Sequence, residues 1–341
     1  MIMKKITFTL LMVLFAGSTL LAQDLFYGFG SKGYYNKISQ ETDIVTIPQL
    51  SVSFDKFVET KVVVSEGKLS KLQNTFEAAS KGGSYGGEAK SSAQTITILN
   101  TDMQLSDFQE LANEFQLILE EEISKAGIKV LPLQEFVKTE GFQKMSEKYS
   151  DKTENKGKKN SDEDTKSKVR MFPENGVFMF DEKSVARGGV PFIGMVRNIQ
   201  KETGAIMLLQ NIDINFATVE LDASVEASSK RKVTTAETKV IPKMNISRNT
   251  FDFVGKNGPN NASAELTVEY LADKEFDAKI YQDPEKGRSL FGQIFGIGVP
   301  TIEFDPFIVE MDKETYKSAA KDLFRKYAQD FARTYASVGK K

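Results

Sequence analysis

TITILNTDMQLSDFQELANEFQLILEEEISKAGIKVL, residues 95–131, decides the fold class. Thr95–Leu99 (TITIL) is β-branched and apolar, the composition of a strand. Leu105, Phe108, Leu111, Ala112, Phe115, Ile118, Leu119 and Ile123 then recur every three or four residues, which predicts an amphipathic helix. Ser106 and Gln109 have the spacing of a capping box at its start. Gly127 supplies a left-handed stop, and Ile128, Val130 and Leu131 open another strand at once. The order strand, helix, strand predicts a βαβ unit with the helix packed on a sheet.

Working outward, residues 134–149 read as a second, shorter helix. Upstream, Val52 and Phe54 alternate with Ser51 and Ser53, and Val62, Val63 and Val64 form a β-branched cluster, so residues 43–65 hold two strands. Between them and the opening stretch lies EAASKGGSYGGEAKSS (77–92), which reads as a flexible loop. Downstream, YSDKTENKGKKNSDEDTKSK (149–168) has almost no apolar residue and is expected to be disordered. Residues 188–203 then carry Val190, Phe192, Ile193, Val196 and Ile199 on a helical stripe that Gly204 stops. AIMLLQNIDINF (205–216) reads as a largely buried strand, and Val219, Leu221, Ala223 and Val225 alternate with polar residues in a strand with one wet face. Its return partner is expected within Val233–Ile246, and KNGPNN (256–261) is a further turn. Asp312 caps a last helix whose stripe runs from Tyr316 through Leu323, Phe324, Tyr327 and Phe331 to Tyr335. Its basic outer surface reads as the solvated face of a helix docked on the sheet, or else as a membrane-surface or partner-binding face.

The fold class expected is therefore α/β (α+β). It has a mixed sheet with packed amphipathic helices, antiparallel strands in the second half and a long C-terminal helix. The chain divides into a leader (1–22), an arm with strands and the Gly/Ser-rich loop (23–93), and an α/β domain (94–338) interrupted by a disordered charged insertion (149–170).

MIMKKITFTLLMVLFAGSTLLA (1–22) has Lys4 and Lys5 before an apolar run and small residues before Gln23, the pattern of a cleaved secretory signal. Its removal takes two positive charges with it and moves the net charge from −2 to −4, which does not suggest a nucleic-acid partner. The stretch GSTLLAQD (17–24) has no Cys to carry a lipid. No later apolar run is long enough for a membrane-spanning helix. The expected location is the periplasm or the periphery of an outer membrane, without a lipid anchor.

The 341 residues contain no Cys, no His and no Trp. Neither a Ser–His–Asp triad nor a Cys–His dyad can form, and no zinc site is expected. Gly28, Gly30 and Gly33 match a dinucleotide-loop spacing but follow the cleavage site rather than a strand, so no cofactor is expected. Glu120, Glu121 and Glu122 fan around a helix. Ser65 with Lys68, and Ser229 with Lys232, have SxxK spacing without companion motifs. Asn211, Asp213 and Asn215 share a strand face that holds one carboxylate. The Asp162–Asp164 cluster lacks the rest of a calcium loop. LFGQIFGIGVP (290–300) is apolar and glycine-punctuated; it reads either as a buried connection into the strand near Thr301–Phe304 or as an exposed loop inserting into a partner, with Phe291, Ile294, Phe295 and Ile297 as the anchors.

The order of Thr95–Leu99, long helix, GIKVL (127–131), later ETGAIMLLQNIDI (202–214), antiparallel strands and a terminal helix resembles the periplasmic α/β core of the curli secretion channel family and the TolB N-terminal domain. The resemblance implies an envelope protein that binds other proteins, forms oligomers and has no catalytic site. Two features depart from the channel: the anchoring Cys is missing, and the candidate membrane hairpin at 217–246 has an Ala-rich face without aromatic girdles. The function expected is an exported, non-enzymatic partner-binding protein, an accessory to an outer-membrane secretion or assembly complex. The rivals are an exported carboxylate hydrolase acting on glycans and a small-ligand carrier.

Overall fold

The computed structural model describes residues 26–27, 42–65, 68–73, 91–144, 147, 163–164, 167–174, 197–225, 233–254, 261–266, 268–285 and 302–338. The leader, most of the N-terminal arm, the Gly/Ser-rich loop before residue 91 and the 290–300 segment lie outside these. In chain order the elements are β1 (Phe26–Tyr27), β2 (Ile44–Asp55), β3 (Phe57–Ser65), β4 (Lys68–Gln73), β5 (Ser91–Asn100), α1 (Leu105–Lys125), β6 (Lys129–Val130) and α2 (Leu133–Phe136). Then come β7 (Glu163–Asp164), β8 (Lys168–Met171), β9 (Ile206–Asn215), β10 (Thr218–Val225), β11 (Val233–Ile241), β12 (Asn245–Val254), β13 (Asn261–Leu266) and β14 (Tyr270–Leu271). The last are β15 (Lys279–Gln282), β16 (Ile302–Glu303), β17 (Phe307–Glu310) and α3 (Lys313–Val338).

These strands form three sheets. The large one has the order β1-β13-β12-β9-β2-β8-β7, with β14 beside β12 and β6 beside β2. The small one has the order β15-β17-β5-β3-β4, with β16 beside β5. The hairpin β10–β11 stands alone as the third. Both larger sheets are mixed: β2 runs parallel to β9 and antiparallel to β8, and β5 runs parallel to β17 and antiparallel to β3. The class is α/β, with a long C-terminal helix.

β2 lies in the middle of the large sheet, and only Lys56 separates it from β3 in the small one. One residue thus carries the chain between sheets. It is held on both sides, because its N–H donates to Ser167 O (2.7 Å) and its carbonyl accepts from Leu99 N–H (2.8 Å). On β2, Val45, Leu50, Val52 and Phe54 face one side with Ile206, Ile212 and Ile214 of β9. The register slips between Thr46 and Gln49, around Pro48, which cannot donate to a ladder.

α1 and α3 cover that apolar face side by side and in the same direction. Phe108 meets Tyr316 (5.8 Å between ring centroids) and, further along both helices, Phe115 meets Phe324 (4.6 Å). The buried stripe of α3 is the one the spacing predicts: Tyr316, Ala320, Leu323, Phe324, Tyr327, Ala328, Phe331, Ala332 and Tyr335. Thr315 N–H donates to Asp312 Oδ1 (2.7 Å), so Asp312 caps α3 as read. Each helix grows from a strand of the small sheet, α1 from β5 and α3 from β17, and those two strands are parallel neighbours.

Three readings are corrected. The Thr95–Leu131 unit is not a βαβ within one sheet: β5 pairs with β3 and β17, whereas β6 pairs parallel with β2. The helix crosses from the small sheet to the large one because its stripe is complementary to the β2/β9 face. The cap of α1 is Gln104 with Asp107, not Ser106 with Gln109. Gln104 N–H donates to Asp107 Oδ2 (2.9 Å), and Gln109 Nε2 instead bonds Phe172 O (2.7 Å). Leu105 is then the first helical residue and lies off the buried stripe, 50% exposed. The charged insertion also ends in structure: β7 pairs with β8, and β8 pairs with β2. Val169 and Met171, each 2% exposed, alternate with Lys168 and Arg170, so four residues suffice for a half-buried strand.

Gly127 (φ +84°) and Gly204 (φ +66°) sit in the left-handed region after helical residues, where a side chain would be strained. Both end helices where the pattern placed the stops. The β10–β11 hairpin buries Leu221 against the small sheet and exposes Glu220, Asp222, Glu237 and Lys239. No helix among the described residues is long and apolar enough to cross a membrane.

Candidate functional site

The face of the large sheet opposite α1 and α3 gathers the chemistry-bearing residues. Alternation along each strand dictates this: residues between the apolar ones on β2 and β9 must point to the other side. At one end that side is apolar. Met207 and Leu209 are buried there, and α2 packs on β2. Further along it turns polar. Ser51 pairs in register with Asn211, and Ser53 with Asp213.

One register row crosses five strands: Glu163 of β7, Arg170 of β8, Ser53 of β2, Asp213 of β9 and Arg248 of β12. Acid and base alternate about the serine. Strands are about 4.8 Å apart, so Asp213 and Arg248 are direct cross-strand partners of opposite charge. Arg170 donates from Nε to Ser51 Oγ (2.8 Å) and from Nη2 to Asn211 Oδ1 (3.5 Å), and its guanidinium lies over the Phe172 ring (5.2 Å to the centroid). The next position along β2 is Asp55, which pairs with Lys168. Ser51 and Ser53 are 1% and 3% exposed, and Asp55, Arg170, Asp213 and Arg248 are half-buried.

Burial of its carboxyl raises the Asp55 pKa well above the ordinary carboxylate value. The Asp213 charge raises it further, and Lys168 acts against both. The sheet thus brings two carboxylates into electrostatic contact. Beneath them, on the helix side, Tyr316 is fully buried and its hydroxyl has no hydrogen-bond partner; burial and the Asp55 charge both raise its pKa.

The residues singled out in the sequence fare unequally. Asp213 enters this row and Asn211, opposite Ser51, lies beside it; the sequence missed their neighbours Asp55, Arg170 and Arg248. That face of β9 holds the one carboxylate read from the sequence, Asp213; pairing β2 beside β9 brings a second, Asp55, into its reach. Ser65 and Lys68 are a backbone pair at the β3–β4 turn. Glu120, Glu121 and Glu122 do not converge: Glu120 accepts from Gln116 Nε2 (2.9 Å), while Glu121 and Glu122 pair with Lys125 (2.8 and 2.9 Å). Glu163 and Asp164 belong to β7, and the described residues hold no group of three or more acidic side chains able to bind a metal. Ser229, Lys232, Phe291, Ile294, Phe295 and Ile297 lie outside the described residues. Around the last four, Asp283 N–H donates to Pro306 O (2.9 Å) and Ile302 pairs with Ala93, so the chain is held in the small sheet on either side of the segment.

Among the described residues, grooves lie beside the two long helices. One of about 690 Å³ runs along α3, with apolar Met244, Ala272 and Phe276 and charged Glu314, Asp322 and Arg325 among its lining. One of about 330 Å³ lies along α1 between Leu117 and the stretch Pro132–Gln134. Leu117 is 66% exposed.

Compared with known protein families, curated proteins and solved structures, the chain matches none.

Proposed function

We propose that the protein is an exported, non-enzymatic envelope protein that works by binding a protein partner, as an accessory to a secretion or assembly complex at the outer membrane. The observation that carries this reading is the commitment of the polar row to itself. The Arg170 guanidinium is taken up by Ser51 and Asn211, and Asp213 and Asp55 each have a basic residue at their register position, Arg248 and Lys168. Polar groups answered by neighbours on the sheet itself are less available to a substrate. What is left for function is surface, and Phe291, Ile294, Phe295 and Ile297 supply the apolar anchors of that surface. The leader-like residues 1–22 support export, and the topological resemblance to the curli secretion channel family supports an envelope assembly.

The test is capture through a C-terminal tag from cross-linked envelope of the native host. Wild-type protein should bring down one discrete partner, and the double variant Phe291→Ser/Phe295→Ser should not, at equal thermal stability.

One observation favours a second reading, the carboxylate hydrolase. Asp55 and Asp213 interact, and the pKa of one is pushed up, the arrangement a general acid beside a charged carboxylate requires. Turnover of envelope glycans that is abolished by both Asp55→Asn and Asp213→Asn would replace the first reading with this one.

A further inference from the structure

The hairpin β10–β11 is a sheet of two strands only. Its ladder runs from Thr218 opposite Ile241 to Val225 opposite Val233, and among the described residues neither strand pairs with a third. A lone two-stranded hairpin is marginal in water, so its order depends on what it packs against. On the small sheet Leu221 joins Val62 and Ala93 in a buried cluster against which Ala223, Ala236, Ile302 and Phe304 lie, and beside the base Val219 and Val240 pack into the main core.

That layer also encloses hydroxyls that bond nothing. Thr95 and Thr97, both 0% exposed, alternate with Gln94 and Ile96 and so share the face of Ala93 on β5. Thr238 stands opposite Leu221 on the inner face of the hairpin. Oγ1 of each of the three is buried without a hydrogen-bond partner. A hydroxyl shut away from water in this way is stabilised when the layer opens.

The base of the hairpin is built differently. Asn245, 1% exposed, donates from Nδ2 to Ala217 O (3.2 Å) and to Thr218 Oγ1 (3.2 Å). Thr218 Oγ1 donates in turn to Lys243 O (2.9 Å), and Lys243 N–H to Ile241 O (2.7 Å). The two ends of the hairpin are clamped together while the layer under its body includes three buried hydroxyls without a partner.

The geometry points to a hinged flap: β10 and β11 swing off the small sheet together, turning about residues 217–218 and 241–243, and uncover the threonine-lined face of β5. Opening hydrates Thr95, Thr97 and Thr238 and keeps the Asn245 clamp closed. It is a property of the fold and stands apart from which partner the protein binds.

Hydrogen exchange of the full-length protein, read by mass spectrometry, tests it. Amides of 218–225 and 233–241 should exchange in one common process, at least about tenfold faster than those of β5 and β9. In the triple variant Thr95→Val/Thr97→Val/Thr238→Val, which keeps side-chain shape and removes the unpaired hydroxyls, that process should slow by about tenfold for each hydroxyl replaced, while β9 is unchanged. Exchange of the hairpin at the rate of β5 in the wild-type protein overturns the flap, whether or not the triple variant folds. Faster hairpin exchange in the triple variant overturns the part assigned to the hydroxyls.

Discussion

Lys317 Nζ lies 2.9 Å from Asp107 Oδ1, joining the second turn of α3 to the first turn of α1. The same ammonium reaches Glu110 (2.7 Å), and one turn further on Lys321 pairs with Glu114 (2.6 Å). A parallel helix pair needs such a fastening, because its two positive N-termini lie side by side. Asp107 counters both. It accepts the Gln104 N–H as the cap of its own helix and the Lys317 ammonium of the other. The Gln104 N–H, first, and Lys317 hold its carboxyl below the usual range.

A carboxyl whose pKa is lower folded than unfolded contributes stability at neutral pH and loses it as the pH falls through the folded value. Asp107→Ala should therefore destabilise the protein by about 1–2 kcal/mol at pH 7, the worth of a cap with a partly buried ion pair. The difference from wild type should close on acidification. Urea denaturation of both proteins across a pH series checks it.

Asp55 has the opposite sign. Its pKa is raised by burial, then by Asp213, against the pull of Lys168. Its charged form opposes folding, and stability is lost as the pH rises from the unfolded value through the folded one. Asp55→Asn should raise the thermal midpoint at pH 7.5, with the gain gone below about pH 4, where the carboxyl is protonated in both states. Calorimetry at the two pH values reads the sign directly.

Between α3 and the large sheet, Gln210 Nε2 donates to the Tyr327 hydroxyl (2.7 Å), and Asn249 Nδ2 donates to it as well. All three side chains are buried. Tyr327→Phe leaves two amides without that acceptor and should cost about 1–3 kcal/mol, more than a surface Tyr→Phe change. A Gln210→Leu/Tyr327→Phe double variant should recover part of that loss, because fewer amides are then orphaned. Denaturation midpoints of the three proteins decide it.

Phe324 is fully buried against Phe115 at the helix–helix contact. Phe324→Ala should cost about 3–5 kcal/mol through lost transfer energy and the cavity left behind. Leu117→Ala, on the exposed side of α1, should cost a few tenths at most.

Periodicity made the helices legible. Tyr316 through Tyr335 and Phe108 through Ile123 announce their buried stripes, and Asp312, Gly127 and Gly204 mark boundaries that the backbone observes. The alternation of Val52 and Phe54 with Ser51 and Ser53 likewise gave β2 its two faces. Pairing was not legible. β2 lies beside β9 although about 150 residues of chain separate them, and nothing local encodes which strand is whose neighbour. The assignment of β5 and β6 to different sheets, and the meeting of Asp55 with Asp213, were hidden for this reason. Asp55 reads locally as the polar end of a strand; only the sheet gives it a second carboxylate.

The central claim, that this chain acts through a partner-binding surface, is tested most directly by cross-linked capture from the native envelope with the wild-type protein and the Phe291→Ser/Phe295→Ser variant run in parallel. One discrete partner is expected with the wild type and its loss with the variant, at matched thermal midpoints and matched amounts of captured protein. Recovery of the wild-type protein alone, or the same partner in the same amount with both proteins, would contradict it.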